Sequence, residues 1–316
     1  MQDHGMDDTQ PVPEEAGILE FLRLCESFYP ADAVEASVER QRLWYDALCA
    51  QFDRPLPDGM TAVDAAIAGV PTRRYRPQAV TARTVLVYIH GGGFVVGSLD
   101  SHQAICAELA EFCGAELVAL DYRLAPEHRW PAQGEDCWAV LQELLADGSR
   151  LVVIGDSAGG NLAAGLAIRA RDAGLSGIVG QALVYPGLGG DLVSGSYVEM
   201  AAAPGLSTAD VRYYREILQA PQGDPVAFPL QAERLGGLPP AFVTVAHFDP
   251  LRDDGRHYAA RLAEAGVDVQ FREEPQMVHA WLRARHMSEG ARAGFEALCS
   301  AVQRMIREGE GPAADA

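Results

Sequence analysis

Ser157 stands between a strand-like run and a helix-like run, and this arrangement restricts the fold more than any other feature of the chain. The preceding run, Leu151–Gly155, is apolar and β-branched, as in a buried parallel strand. The following run, Asn161–Ala170, has helical composition and spacing. Glycines two positions before and after the serine remove the Cβ atoms that would clash in a sharp strand-to-helix turn. Such a turn exposes the serine hydroxyl near the positive end of the helix dipole.

Strand-like and helix-like runs alternate along the rest of the chain. This alternation predicts an α/β fold with a mostly parallel central sheet flanked by helices. A chain of 316 residues can bury one large core and carry a smaller cap. We predict strands at 60–68, 71–77, 84–90, 116–122, 151–155, 181–185, 241–246 and 267–273, and helices at 15–28, 32–51, 102–113, 135–147, 159–172, 208–219, 253–265 and 284–307.

Two segments fall outside the alternation and predict a cap. Helices precede the first strand in residues 1–55, and residues 187–240 form an interruption rich in glycine and proline. Because that interruption is too long for a simple connection, we expect it to be the second cap segment. The core is then formed by residues 56–186 and 241–316. The cap is expected over the carboxyl ends of the strands, where open α/β sheets bind ligands.

The charged residues exclude several classes of function. The chain has 25 basic and 44 acidic residues, which gives a net charge of −19. Nucleic acids and anionic membranes bind basic surfaces, so neither is expected as a partner. Every basic residue is arginine. The absence of lysine excludes a Ser–Lys dyad, a Schiff base and a phosphate-binding lysine.

Cysteine spacing and the N-terminal segment predict a cytoplasmic location. The six cysteines show neither a C-x-x-C pair nor a metal-binding spacing, so no metal site is expected. The segment Met1–Asp8 is acidic and lacks the apolar stretch of a signal peptide. Apolar runs also fall short of the roughly 18 residues of a membrane span.

Ser157 needs a base and an acid to become a nucleophile. A histidine accepts the hydroxyl proton, and a carboxylate orients the histidine and stabilises its charged form. In α/β-hydrolases these residues occur in the order Ser, acid, His, each after a strand. Asp249 and His279 follow the last two predicted strands. Asp253 and Asp254 are alternative acids, but they fall at or inside the next helix, so we favour Asp249.

Three glycines after another strand predict an oxyanion hole. The segment His90–Phe94 follows the apolar run Val85–Ile89. Its glycines allow the backbone to approach a reacting carbonyl group closely. The expected donors are the N–H groups of Gly92, Gly93 and Ala158. A phosphate-binding role is excluded because the Lys-Ser/Thr sequence and the G-x-G-x-x-G pattern are both absent.

Four motifs in register resemble the bacterial hormone-sensitive-lipase-like esterases of the α/β-hydrolase superfamily. The similarity extends from about residue 70 to residue 300. It implies an α/β-hydrolase fold with a helical cap and an activity on small, fairly short-chain acyl esters. By position it also implies the same nucleophile, acid, base and oxyanion donors. The motifs are His90–Phe94, Tyr122–Ala132, Gly155–Gly160 and Asp249–Asp253.

The resemblance has one departure, which concerns the pocket. The family usually has His-Gly-Phe where this chain has His279-Ala280-Trp281. A lid segment resembling that of the family covers Leu206–Leu218 and contains a pair of tyrosines. We therefore expect Phe94, Tyr213 and Trp281 to line the substrate pocket.

The predicted function is that of a serine carboxylesterase that acts through an acyl-enzyme, a mechanism that needs no metal or cofactor. An amide hydrolase such as a deacetylase is an alternative, because the same triad serves both reactions. A ligand receptor on a hydrolase scaffold is a remote alternative, since such relatives lose a triad member. The expected partner is a small-molecule ester, and the sequence leaves open whether the chain forms a homodimer.

Overall fold

The computed structural model describes residues 12–28, 30 and 33–311. The predicted N-terminal segment Met1–Asp8 lies outside these residues. All eight predicted strands are present. They are β1 (Thr61–Ile67), β2 (Val70–Arg76), β3 (Val85–Ile89), β4 (Leu117–Leu120), β5 (Leu151–Asp156), β6 (Ile178–Val184), β7 (Ala241–Phe248) and β8 (Val269–Val278).

The helices follow the predicted order with shifted ends. The predicted helix at 32–51 begins at Val38, because the hydroxyl of Ser37 caps it by accepting the N–H of Arg40. The predicted helix at 284–307 is divided into a 3₁₀ turn, Trp281–His286, and a longer α-helix. The α-helices are α1 (Ala16–Phe28), α2 (Val38–Ala50), α3 (Gln103–Cys113), α4 (Ala132–Ala146), α5 (Ala158–Asp172), α6 (Ser196–Glu199), α7 (Thr208–Leu218), α8 (Arg252–Glu264) and α9 (Glu289–Glu310).

The strands form one sheet in the order β1-β2-β4-β3-β5-β6-β7-β8. Strands β3 to β8 pair in parallel, whereas β1 and β2 are antiparallel additions at one edge. This topology confirms the predicted fold class. Parallel strands are usually buried on both faces, and all residues of β3 and β5 are buried here.

Helices cover both faces of the sheet. One buried cluster contains residues of α3 and α9, and the other contains residues of α4, α5 and α8. The N-terminal helix α1 contributes Ile18 and Phe21 to the first cluster, where both are almost inaccessible to solvent. Helix α1 precedes the first strand in the sequence, and in the structure it packs against the core. In the described ranges, no helix has the length and apolar composition needed to cross a membrane.

The three predicted triad residues each follow the last residue of a strand. Ser157 follows β5, Asp249 follows β7, and His279 follows β8. Strands β5, β6, β7 and β8 are successive neighbours in the sheet. Because their carboxyl ends meet at one edge, the three side chains are brought together there.

Candidate active site

Ser157 occupies a strained turn between β5 and α5. Its φ of 53° and ψ of −117° are unusual for a residue with a side chain. The turn is held because Ser157 N–H donates to the carbonyl of Val184, at 2.9 Å. A Cβ at Gly159 would overlap the carbonyl oxygen of Ile89, so only glycine allows α5 to begin so close to β3.

Ser157, His279 and Asp249 form one hydrogen-bonded row. The Oγ atom of Ser157 lies 2.9 Å from Nε2 of His279, and Nδ1 of His279 lies 2.7 Å from Oδ2 of Asp249. A carboxylate only accepts hydrogen bonds, so Nδ1 carries the proton and Nε2 is the acceptor for the serine hydroxyl. Asp249 is fully buried, and its second oxygen accepts the N–H of Leu251 at 2.8 Å. This arrangement can activate a serine for nucleophilic attack.

The alternative acids lie away from this row. Oδ2 of Asp254 accepts the N–H groups of residues 188–190 and the hydroxyl of Tyr197, at 2.6 to 3.2 Å. Burial raises the pKa of Asp254. Asp253 accepts the N–H of Ser196 at 2.9 Å. Both carboxylates therefore hold the segment that follows β6.

The three predicted oxyanion donors lie beside Ser157. Gly92, Gly93 and Ala158 line the same cavity as Ser157. Within the described part of the chain, no acceptor pairs with the N–H of Gly92 or Gly93. Ala158 is the first residue of α5, where helical N–H groups lack an intrahelical acceptor. These N–H groups are available to a ligand.

A cavity of about 570 Å³ opens onto Ser157 and His279. Phe94 lines it, as expected from the sequence. Both predicted cap segments contribute apolar lining, namely Phe21, Leu22, Leu48, Leu206 and Val211.

Tyr213 does not line this cavity, so its predicted pocket role is wrong. Its hydroxyl accepts a hydrogen bond from Nε2 of Gln41, on α2, at 2.6 Å. The neighbouring Tyr214 lines the cavity instead, and a Cβ at Gly93 would lie 2.5 Å from its ring. Successive helical residues point about 100° apart, so only the docking of α7 decides which tyrosine faces the site.

Trp281 also lies outside the cavity, which corrects the second pocket prediction. It is fully buried in the core, and its ring meets Tyr185 edge-on with centroids 6.0 Å apart. Gly294 of α9 leaves room for the indole. Ala280 does line the cavity, with a φ of 63° in the left-handed region that favours glycine. Of the two residues that differ from His-Gly-Phe, only Ala280 lines the cavity and can therefore change its shape.

Asp156 supports the loop that carries the oxyanion donors. Its Oδ1 accepts the N–H of Gly91 and the hydroxyl of Tyr88, both at 2.9 Å. Burial opposes ionisation of this carboxyl group, but its interactions with His102, Arg283 and Tyr88 together lower the pKa of Asp156. His90, in the same loop, stacks on Tyr122 with centroids 4.4 Å apart.

His90 predicts a loss of stability in mild acid. Burial, and then the charge of His102, lower the pKa of His90 from 6.5 to about 3. In the unfolded chain His90 is protonated below about pH 6.5, whereas in the folded protein it stays neutral. The contribution of neutral His90 to the free energy of unfolding is therefore complete above about pH 6.5 and is lost as the pH falls towards 3. Between about pH 7 and 5.5 the loss is about 1 kcal/mol.

Urea unfolding of the wild type and His90→Gln at both pH values tests this prediction. The wild type should lose about 1 kcal/mol more than the variant, because glutamine takes up no proton. An equal loss in both proteins would contradict the prediction. The range from pH 5.5 to 7 lies above the pKa values of ordinary carboxyl groups, so these groups contribute little to the change in the free energy of unfolding.

Several polar residues of the cavity were not predicted from the sequence, among them a pair that is in contact, Arg283 and Tyr45. Both line the cavity, and Arg283 is only 6% exposed. Arg283 lies in a polar, arginine-rich stretch that is typical of a solvated surface. Tyr45 lies on α2, more than two hundred positions earlier in the chain. Local sequence patterns contain no signal that pairs them.

Comparisons with known proteins agree with this geometry. The profile of a family described as alpha/beta hydrolase fold matches residues 86–283. Esterase LipI of Mycobacterium tuberculosis is 40% identical over 247 residues, which covers 72% of this chain and 77% of LipI. The ethyl acetate hydrolase of Pseudomonas putida is 35% identical over 251 residues, which covers 75% of this chain and 79% of that hydrolase.

A solved structure shows the same fold. An esterase from the bacterial hormone-sensitive lipase family superposes with a TM-score of 0.85 at 26% identity, covering 93% of this chain and 99% of the other. The chain therefore belongs to the α/β-hydrolase family, among the esterases related to bacterial hormone-sensitive lipase.

Proposed function

We propose that this chain is a serine carboxylesterase that hydrolyses small esters with short-to-medium acyl chains. The observation that carries the proposal is the hydrogen-bonded row of Ser157, His279 and Asp249 at the cavity. Family membership supports ester hydrolysis as the reaction class. A relative named for ethyl acetate supports a small substrate, as does a cavity of about 570 Å³.

Acylation begins when the Oγ atom of Ser157 attacks the ester carbonyl carbon. His279 accepts the hydroxyl proton at Nε2, and Asp249 stabilises the resulting imidazolium at Nδ1. The carbonyl oxygen becomes an oxyanion, to which the N–H groups of Gly92, Gly93 and Ala158 donate. The tetrahedral intermediate collapses when the C–O bond breaks and His279 returns the proton to the leaving alcohol. The product of this half-reaction is an acyl-enzyme.

Deacylation repeats these steps with water. His279 accepts a proton from the water, whose oxygen attacks the acyl carbon. Collapse of the second intermediate releases the carboxylic acid and returns the proton to Oγ of Ser157. The chemistry uses one histidine as base and then as acid in each half-reaction, and it calls for no redox step.

We also propose a cytoplasmic enzyme whose cap consists of residues 1–55 and 187–240. All six cysteines are free thiols, which supports a reducing compartment. Leu22 and Leu206, one from each segment, line the cavity, which supports a two-piece cap. The proposed partner is a small-molecule ester. That nucleic acids and membranes are not partners remains a prediction from the sequence. Whether the chain forms a homodimer remains open.

Arg42 connects the first cap segment to the oxyanion loop. From α2, its Nε donates to the carbonyl of Val95 at 2.9 Å, and its Nη2 donates to the carbonyl of Ala125 at 3.0 Å. It also forms a two-pronged ion pair with Glu127. Val95 N–H in turn donates to the carbonyl of Gly92 at 3.0 Å. The position of the Gly92 backbone thus depends on Arg42.

Arg42→Ala should lower kcat by about 10- to 100-fold while KM changes little. A small displacement of oxyanion donors weakens interactions made mainly in the transition state. Steady-state kinetics on p-nitrophenyl acetate measure the effect. The matched control is Arg40→Ala, on the same helix, where the guanidinium lies over Trp44, 5.3 Å from the ring centroid. Equal kcat values for the two variants would contradict the role of Arg42.

Paired substrates test the proposed function. Purified protein should hydrolyse p-nitrophenyl acetate much faster than p-nitroacetanilide, which carries the same acyl group on nitrogen. Comparable or faster turnover of the anilide would assign the protein to the amide hydrolases instead. If neither compound is hydrolysed but both bind, the protein is a receptor on this scaffold.

A further inference from the structure

Arg283 places a buried positive charge at the wall of the catalytic cavity. It lies in the 3₁₀ turn that follows His279, and its N–H donates to the carbonyl of Ala280 at 3.1 Å. Its side chain is more than nine-tenths buried. The cavity that it lines also contains Ser157. A guanidinium at the wall of the cavity that contains Ser157 can contact part of a bound substrate.

The guanidinium has more donors than the protein uses. It carries five N–H groups. One is donated to the carbonyl of Ser101 at 2.7 Å, one to the hydroxyl of Tyr45 at 2.9 Å, and one to Nε2 of His102 at 3.2 Å. The other two have no acceptor among the residues that the structure describes. When a ligand fills the cavity and displaces water, an N–H group without an acceptor becomes costly, so a ligand that supplies an acceptor is favoured.

The charge around Arg283 favours a neutral acceptor. The described residues contain no carboxylate oxygen within 4.0 Å of its nitrogens. Asp156 is nevertheless near, since Nε2 of His102 lies 3.2 Å from Arg283 and 3.4 Å from the Asp156 carboxylate. A second carboxylate would be repelled by Asp156 and by the net charge of −19. A carbonyl or ether oxygen accepts the same hydrogen bonds without this repulsion.

We propose that Arg283 forms an oxygen-binding subsite, and that the preferred substrates are small esters with a second, uncharged oxygen acceptor in the acyl or alcohol chain. This inference rests on the proposed esterase function and specifies its substrate class. A substrate that reaches Arg283 completes the hydrogen bonding of a buried cation. An alkyl ester of the same length leaves these donors unpaired, so it is bound less well in the transition state.

Two pairs of matched esters test the subsite. Ethyl 4-oxopentanoate is compared with ethyl pentanoate for the acyl side, and 2-methoxyethyl acetate with butyl acetate for the alcohol side. Each kcat/KM is divided by the rate constant for hydroxide-catalysed hydrolysis of the same ester, which removes intrinsic reactivity. In the wild type we expect the oxygenated ester of at least one pair to be favoured by about tenfold or more. The pair that responds identifies the chain that reaches Arg283.

Arg283→Met should reduce that ratio to about one, because methionine retains much of the side-chain volume without any donor. Arg283→Gln, which keeps two N–H groups, should retain part of the preference. The control is Arg23→Met, on the exposed surface of α1, which should leave the ratio unchanged. Circular dichroism and melting temperature show whether each variant is folded. The wild-type ratios test the subsite even if a variant does not fold.

Ratios near one for both wild-type pairs would overturn the subsite. They would mean that water in the small void of about 10 Å³, which Arg283 also lines, satisfies the free donors. A preference that persists in folded Arg283→Met would overturn it too. A higher corrected rate for monoethyl succinate than for ethyl 4-oxopentanoate would overturn the choice of a neutral acceptor. Failure to hydrolyse even the alkyl esters would instead contradict the proposed function.

Discussion

Replacing Ser157 with alanine should lower kcat for p-nitrophenyl acetate by about 10⁴-fold or more. The triad acts as a unit, and without Oγ no acyl-enzyme forms. The fold should be retained, since Ser157 is only partly buried and its hydroxyl lies at the cavity rather than in a packed core. Steady-state kinetics, together with the melting temperature, measure both effects.

A serine far from the site provides the control. Ser300 lies on the exposed face of α9, where its hydroxyl donates to the carbonyl of Glu296 at 2.7 Å. Ser300→Ala should keep wild-type kinetics. If Ser157→Ala retains more than a tenth of the wild-type kcat, Ser157 is not the nucleophile.

Asp249→Asn should lower kcat by about 10⁴-fold. An amide at this position can donate to Nδ1 of His279, which favours the tautomer with its proton on Nε2. That tautomer has no lone pair for the serine hydroxyl, and the imidazolium loses its stabilising charge. The volume of the side chain is unchanged, so the activity loss should exceed any loss of stability.

Variants of the two neighbouring carboxylates distinguish a catalytic role from a purely structural one. Asp253→Asn should change kcat little, because this side chain faces Ser196 and Arg256 rather than His279. Asp254→Asn should mainly lower the melting temperature, since a fully buried carboxylate that holds residues 188–190 is altered. A collapse of kcat in Asp253→Asn with an active Asp249→Asn would overturn the assignment of the acid.

The fold and the close approach of Ser157, Asp249 and His279 could be predicted because their signals are local. Strand-like runs marked all eight strands, and residues after the carboxyl ends of parallel strands must lie at one edge of the sheet. The choice of Asp249 over Asp253 also depended only on local position, three residues after a predicted strand rather than at or inside a predicted helix. The role of Gly159 was predictable for the same reason, since a sharp turn leaves no room for a Cβ atom at this position.

The pocket could not be predicted in this way. Tyr213 and Tyr214 are adjacent and chemically identical, and the rotation of α7 on the core determines which of them meets Gly93. Trp281 was predicted to line the pocket because it is near His279 in the sequence. Its indole packs instead in the core, in the space that the missing Cβ of Gly294 on α9 leaves free.

The sequence by itself determined the α/β fold, the nucleophile turn and the order of Ser157, Asp249 and His279, because each depends on residues close together in the chain. Only the tertiary structure decided the walls of the cavity and the burial of Arg283 among Ser101, Tyr45 and His102. Those contacts join segments far apart in the chain, and they depend on how helices pack rather than on what any segment prefers alone. A charged side chain can therefore lie in a stretch typical of a surface and still be buried at the wall of the cavity that contains Ser157.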